Sequence, residues 1–444
     1  MQKDRQENAL PGASAEAAEL LDEAVSAFSL YRGDPMTLTD LAIAAAPDFT
    51  LAMVFKGYLL ALATEPAAAA GARDVLDQLR AMPRDERTSS HAAALRLLLD
   101  GQWTQAADAL AQHSLVYTRD FIALHVGHLL DFYRANATSL RDRVGRALVH
   151  WSEDVPGYSL LLGMHAFGLE ETRDFARAEE TGRRAVALQP LDVWAHHAVT
   201  HVFEMQGRRI DGIDWMIARY PYWSGDDNFF RGHNWWHRAL FHLDAEQIGD
   251  VLTLYDGPIR SGRSPTALDL VDASALLWRV HLGGHDVGDR WIEVAQAWDA
   301  HADARLYPFN DWHAAMVYLG ADRLADVERL LARFRDNTDA TDAAAWGREL
   351  AVPLIEGFTA FWRGEYDTAI VRLTGLRRIT DRLGGSNAQR DVIAWTLTEA
   401  ALRAGERDLA EQLAQERVQA KPRSRMNLGL LARASNLRSA RRAA

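Results

Sequence analysis

The chain has 444 residues, 48% of them hydrophobic, and carries 61 acidic against 49 basic side chains, a formal net charge of −12. That balance argues against a nucleic-acid partner, which needs a basic surface to neutralise phosphates. With no cysteine in the sequence, disulfides, thiolate nucleophiles and Cys-ligated zinc or iron–sulfur clusters are excluded.

Alanine runs (Ala67 to Ala70, Ala343 to Ala345), few prolines and scarce β-branched alternation point to helix throughout. The length favours an extended repeat array, in which each unit buries its face only against its neighbours. The N-terminal stretch lacks an apolar signal core and no segment approaches bilayer-spanning length, so a cytoplasmic protein without a membrane partner is expected. The chain reads as one helical-repeat domain. N-terminal helices occupy about 10–155, motif-bearing repeats 156–320, further repeats 321–430 and a basic tail 431–444 with Arg433, Arg438, Arg441 and Arg442.

In chain order, the first helical pair is His91 to Gln112, with Gly101 and Trp103 at its turn. Gly157 to Pro190 is the clearest unit: Ala178 and Ala185 lie on one face of its second helix, where small residues let helices approach, and Pro190 ends it. Phe358 to Leu376 repeats the plan with Gly364 and Tyr366 at the turn. Val392 to Pro422 repeats it again with Gly405, Ala410, Ala414 and a closing Pro422. The predicted fold class is all-α: tetratricopeptide-type helical hairpins forming a right-handed superhelix with a modified central region.

The centre departs from the plan. Three segments rich in turn formers interrupt it: Tyr220 to Asn228, Gly257 to Pro265 and Gly283 to Asp286. Histidine concentrates there too, with nine of 16 between His196 and His301. His197, His201 and Glu204 sit at helical offsets within about 60° of one another, a stripe able to bind a metal or relay protons. His233 and His237 form a second i, i+4 pair, and Trp235 and Trp236 between them must point in different directions. Asn228 precedes that helix as a candidate cap. Asp272 and Arg279 share a face of a later helix. Asn310 or Asp311 would cap the helix that carries His313.

Taken together, the stretches His196 to Gly207, Asn228 to Leu240, Leu254 to Asp256, Asp272 to Arg279 and Phe309 to His313 resemble the tetratricopeptide repeat protein 38 family. The resemblance covers most of the chain and implies the helical-repeat fold, but no particular reaction. Trp312 departs from the family's pattern, which has a small residue there, so an indole at that place would reshape a pocket.

Two functions are compatible with these residues. In the first, a central pocket binds a small, anionic ligand and carries out lyase, isomerase or hydrolase chemistry by proton transfer. His201, His237, Asp272, Asp311 and His313 are the candidate catalytic groups; His197, Asn228, His233, Trp236 and Arg279 are the candidate ligand contacts. His197, His201 and Glu204 are the candidate metal ligands, and no nucleotide motif is present, which leaves a divalent metal as the cofactor to consider. In the second, the array is a non-catalytic scaffold that binds a peptide or partner protein in its concave groove. No pattern encodes an oligomeric state, although aromatic Tyr220 to Trp223 is a candidate interface.

Overall fold

The computed structural model describes residues 1–379 and 382–437. Its regular structure is helical apart from one two-stranded antiparallel ribbon that pairs Gln2–Lys3 with Ala9–Leu10. Among the described residues, no helix is long and apolar enough to cross a membrane.

The helices pack as two compact units. The first comprises Met1–Val199, Tyr220–Arg231 and Thr341–Ala343; the second comprises Thr200–Arg219, Gly232–Ala340 and Ala344–Ala444. No loop marks the main passage from one to the other: the chain crosses at Val199–Thr200, inside the helix Val193–Met205.

Within each unit the recurring element is an antiparallel helical hairpin. In the first, Glu86–Leu99 pairs with Trp103–Val116 and Tyr158–Glu171 with Phe175–Leu188. In the second, Val352–Trp362 pairs with Tyr366–Leu376 and Asn387–Ala404 with Arg407–Ala420. These are the four pairs read from the sequence. Ala178, Ala185, Ala410 and Ala414 are wholly buried, as their spacing requires.

The hairpin turns place a residue in the left-handed region after the first helix. Gly101 (φ 74°) and Gly405 (φ 77°) do so without a Cβ penalty. Ala135 (φ 52°), Arg173 (φ 65°) and Asp322 (φ 57°) occupy the same region without being glycine, at a cost of about 1 kcal/mol each. Further hairpins therefore exist that lack the glycine signature, including Phe121–Tyr133 with Ala137–Ala147 and Pro308–Gly320 with Leu324–Asp336.

The central segments differ from their sequence reading. Tyr220–Trp223 is a turn of helix whose Trp223 is fully buried, leaving Tyr220 and Tyr222 exposed. Tyr255–Ile259 continues the helix Ile248–Leu254 as a wide π-type turn, broken at Gly257 (φ −89°, ψ −114°) ahead of Pro258. The basic tail is also revised: Arg425–Ser435 is helical, and Arg433 donates to Glu399 at 3.0 Å. Arg438, Arg441 and Arg442 lie outside the described residues.

Candidate functional site

The second unit gathers six of the singled-out residues around one buried centre. His201 comes from Val193–Met205, followed one turn later by Glu204; His233 and His237 come from Arg231–Asp244; Asp272 and Arg279 come from Ala267–Leu282. The i, i+4 spacing puts His233 and His237 on one face, and their neighbour Trp236 is wholly buried beneath them. Trp235 points elsewhere and is only partly buried, with the Arg238 guanidinium 5.3 Å from its ring centre.

Each of the two histidines is oriented by a carboxylate. His233 Nδ1 lies 2.7 Å from Asp272 Oδ2, and His237 Nδ1 lies 2.8 Å from Glu204 Oε2. With Nδ1 turned to a carboxylate oxygen, each ring presents its Nε2 on the opposite side. Those two Nε2 atoms face each other at 3.2 Å. The His201 ring lies 4.5 Å from that of His237, centre to centre, and the His233 ring stacks on Trp236 at 5.3 Å.

The electrostatics follow from burial. Burial pushes the Asp272 carboxyl up from its ordinary range, with His233 opposing, and its Oδ1 has no hydrogen-bond partner. Burial brings the Arg279 guanidinium down to about 10, against the nearby charges of Asp391 and Glu204. Arg279 stays charged at neutral pH, but its hydrogen bonds run to backbone: Ala275 O at 3.1 Å, Ala388 O at 2.8 Å and Gln389 O at 3.1 Å. Its guanidinium also sits 5.3 Å from the Trp236 ring centre. It anchors helices here, where the sequence suggested an anion clamp.

Several participants were not singled out from the sequence. Lys421 donates to Glu204 at 3.4 Å, and Arg417 pairs with Asp391 at 3.0 Å. Burial alone would raise the Asp391 carboxyl; Arg417 and Lys421 overcome it and hold the group well below its usual range. Lys421 was findable, as one of three lysines in a chain whose basic residues are otherwise arginine. A cavity of about 40 Å³ adjoins this group, lined among others by Glu204, Arg209, Arg279, Asp391, Trp395 and Lys421. It has room for about one water molecule.

The remaining candidates are placed differently. His313 is fully buried; its Nδ1 donates to Phe309 O at 2.8 Å, and burial drives its pKa down to about 3. It is a neutral imidazole at physiological pH, unsuited to accepting protons there. Asp311 accepts the Ala304 N–H at 2.9 Å, and burial, with Asp303 nearby, pushes its carboxyl well above the ordinary value. Neither Asn310 nor Asp311 caps the helix Pro308–Gly320: its cap residue is Tyr307, without a side-chain bond, and Pro308 opens the first turn. Trp312 is wholly buried edge-on against Phe358 at 5.4 Å and lines no cavity described above.

His197 and Asn228 belong to the first unit. The His197 ring packs against Phe167, Trp194 and Phe230 at 5.5, 5.2 and 5.1 Å. Asn228 pins its own loop, donating to Trp223 O at 3.0 Å and accepting the Phe230 N–H at 2.9 Å.

A second buried cluster, in the first unit, was not singled out from the sequence. Asp120 Oδ2 meets Arg87 Nε at 2.6 Å and the Nε2 atoms of His91 and His113 at 3.0 Å each. Its Oδ1 caps the helix Phe121–Tyr133 through the Ala123 N–H at 3.1 Å. Burial disfavours the Asp120 charge, yet His91 and Arg87 hold it well below the usual carboxylate range.

No family model matches the chain. Among solved structures the chain is similar to a human IFIT1 dimer with PPP-AAAA, at 11% identity, covering 96% of this chain and 95% of that one with a TM-score of 0.42. The expected absence of a nucleic-acid partner is withdrawn, because it rested on the summed charge alone. A charge of −12 is a whole-chain sum and does not describe any local face. The chain is an all-α protein of helical hairpins, with a buried histidine–carboxylate centre in its second unit.

Proposed function

We propose that the second unit carries an acid–base centre acting on a small ligand, in a cytoplasmic member of the tetratricopeptide repeat protein 38 family. His233 and His237 are the proton-transfer groups, Asp272 and Glu204 fix their tautomers, and His201 completes the polar wall. The observation that carries this reading is the paired geometry. Two imidazoles, each held at Nδ1 by its own carboxylate, turn their Nε2 atoms toward each other. A packing role needs no such alignment, whereas general acid–base chemistry of the lyase, isomerase or hydrolase type does. The family assignment is supported by the motif residues His201, Glu204, His233, His237, Asp272 and Arg279, which the resemblance brings together and which share this unit.

The test is a binding screen of small carboxylates and phosphates, read by the imidazole NMR signals of His233 and His237. Binding that moves those signals and weakens at least tenfold in His237→Gln, with helicity retained, is the expected result. No response from any compound overturns the reading. The scaffold alternative draws on two observations: Arg279 engages backbone carbonyls, and the adjoining cavity holds about 40 Å³. In that case the centre is structural and a peptide or protein partner binds elsewhere on the hairpins.

A further inference from the structure

We infer that His201, His233 and His237 hold a divalent transition-metal ion, with zinc the best match to the ligand chemistry. The inference deepens the reading above and rests on the same residues. Imidazoles whose Nδ1–H groups are tied to carboxylates bind metal through Nε2, the arrangement that raises ligand basicity and sets ring orientation. His233 and His237 have it on both sides. The two Nε2 atoms face each other at 3.2 Å, a spacing that a shared proton bridges as a hydrogen bond and that a divalent cation, in displacing that proton, bridges equally. With zinc–nitrogen bonds of about 2.0–2.1 Å, that separation corresponds to an angle of about 100° at the metal, close to tetrahedral.

A third nitrogen is at hand. One ring nitrogen of each of His201, His233 and His237 lies within 4.8 Å of the others. Three imidazoles are the ligand set of a catalytic zinc, and imidazole suits zinc, copper, nickel and iron over the hard alkaline-earth ions. Glu204, grouped with the ligands on sequence spacing, here orients His237 and is neutralised by Lys421. The first unit's cluster of His91, His113 and Asp120 is equally compact but differs in kind. The Arg87 guanidinium occupies its shared carboxylate oxygen at 2.6 Å, and a cation there would be repelled.

The experiment uses the full chain, purified without chelator and without an immobilised-metal column. Elemental analysis is expected to find about one zinc per chain, and calorimetry of chelator-stripped protein with zinc chloride a single site. His233→Gln with His237→Gln should weaken zinc at least 100-fold, and Asp272→Asn about 10–100-fold. Wild-type protein that takes up no zinc while keeping its helicity overturns the inference, as does unchanged affinity in the double variant. Should the double variant unfold, X-ray absorption of the wild type decides: an imidazole shell at about 2.0 Å supports the site, and an all-oxygen shell overturns it. If stripped wild type refuses zinc but still binds small anions at His237, only the metal inference falls. Zinc bound with no anion response removes the acid–base reading instead.

Discussion

Acidification offers a direct test of how this protein stores its histidines. His313 is wholly buried, its Nδ1–H bonded to Phe309 O and its pKa lowered by burial to about 3. In the unfolded chain the same imidazole titrates near 6.5. A base whose folded pKa is depressed contributes stability that is complete above the unfolded value and is lost as pH falls below it. Between pH 7.5 and pH 5 the unfolded state gains a proton that the folded state refuses. At about 1.36 kcal/mol per pH unit, the loss from His313 alone is about 2 kcal/mol.

Other groups titrate in the same window and some work the opposite way. Asp22, pushed up by burial to about 6, favours the folded state as pH falls. The comparison with a variant removes them. His313→Gln can keep a donor toward Phe309 O but has nothing to protonate. It should be less stable than wild type at pH 7.5, and the gap should narrow by about 2 kcal/mol at pH 5. The assay is guanidinium unfolding at both pH values with circular dichroism. A gap constant to within about 0.5 kcal/mol would refute the neutral, buried assignment.

Three further outcomes are expected. Asp311→Asn keeps an acceptor for the Ala304 N–H and removes a carboxyl whose folded pKa is raised. Because the unfolded state ionises first, wild type loses stability as pH rises above about 4, so the variant should gain on it between pH 4.5 and 7.5, measured by thermal melting. Asp120→Ala strips the partner from buried Arg87, His91 and His113 and should cost about 3–5 kcal/mol, read by denaturant titration; a cost under about 1 kcal/mol would contradict the network. Gly168→Ala would bring a Cβ to 2.5 Å from the Arg141 backbone, and overpacking of about 1–3 kcal/mol should appear as a lower melting temperature.

The sequence alone determined the helical class and four hairpins, because alanine spacing, terminal prolines and turn glycines are local signals. Hairpins turned at Ala135 or Asp322 are quieter, since a left-handed residue without glycine leaves no mark in the composition. Local spacing also placed His233 with His237 and Glu204 one turn from His201, because i, i+4 neighbours on a helix share a face whatever surrounds them. It could not say which nitrogen faces which carboxylate. Tertiary packing decided that Asp272 and Glu204 each take an Nδ1, and that Lys421, more than 200 residues away in sequence, neutralises Glu204. Packing also turned Arg279 onto backbone carbonyls and drew Asp311 and His313 into the core. Charge and hydrogen-bonding potential are written in a residue's type; burial, which sets whether they become ionised chemistry or internal scaffolding, belongs to the fold.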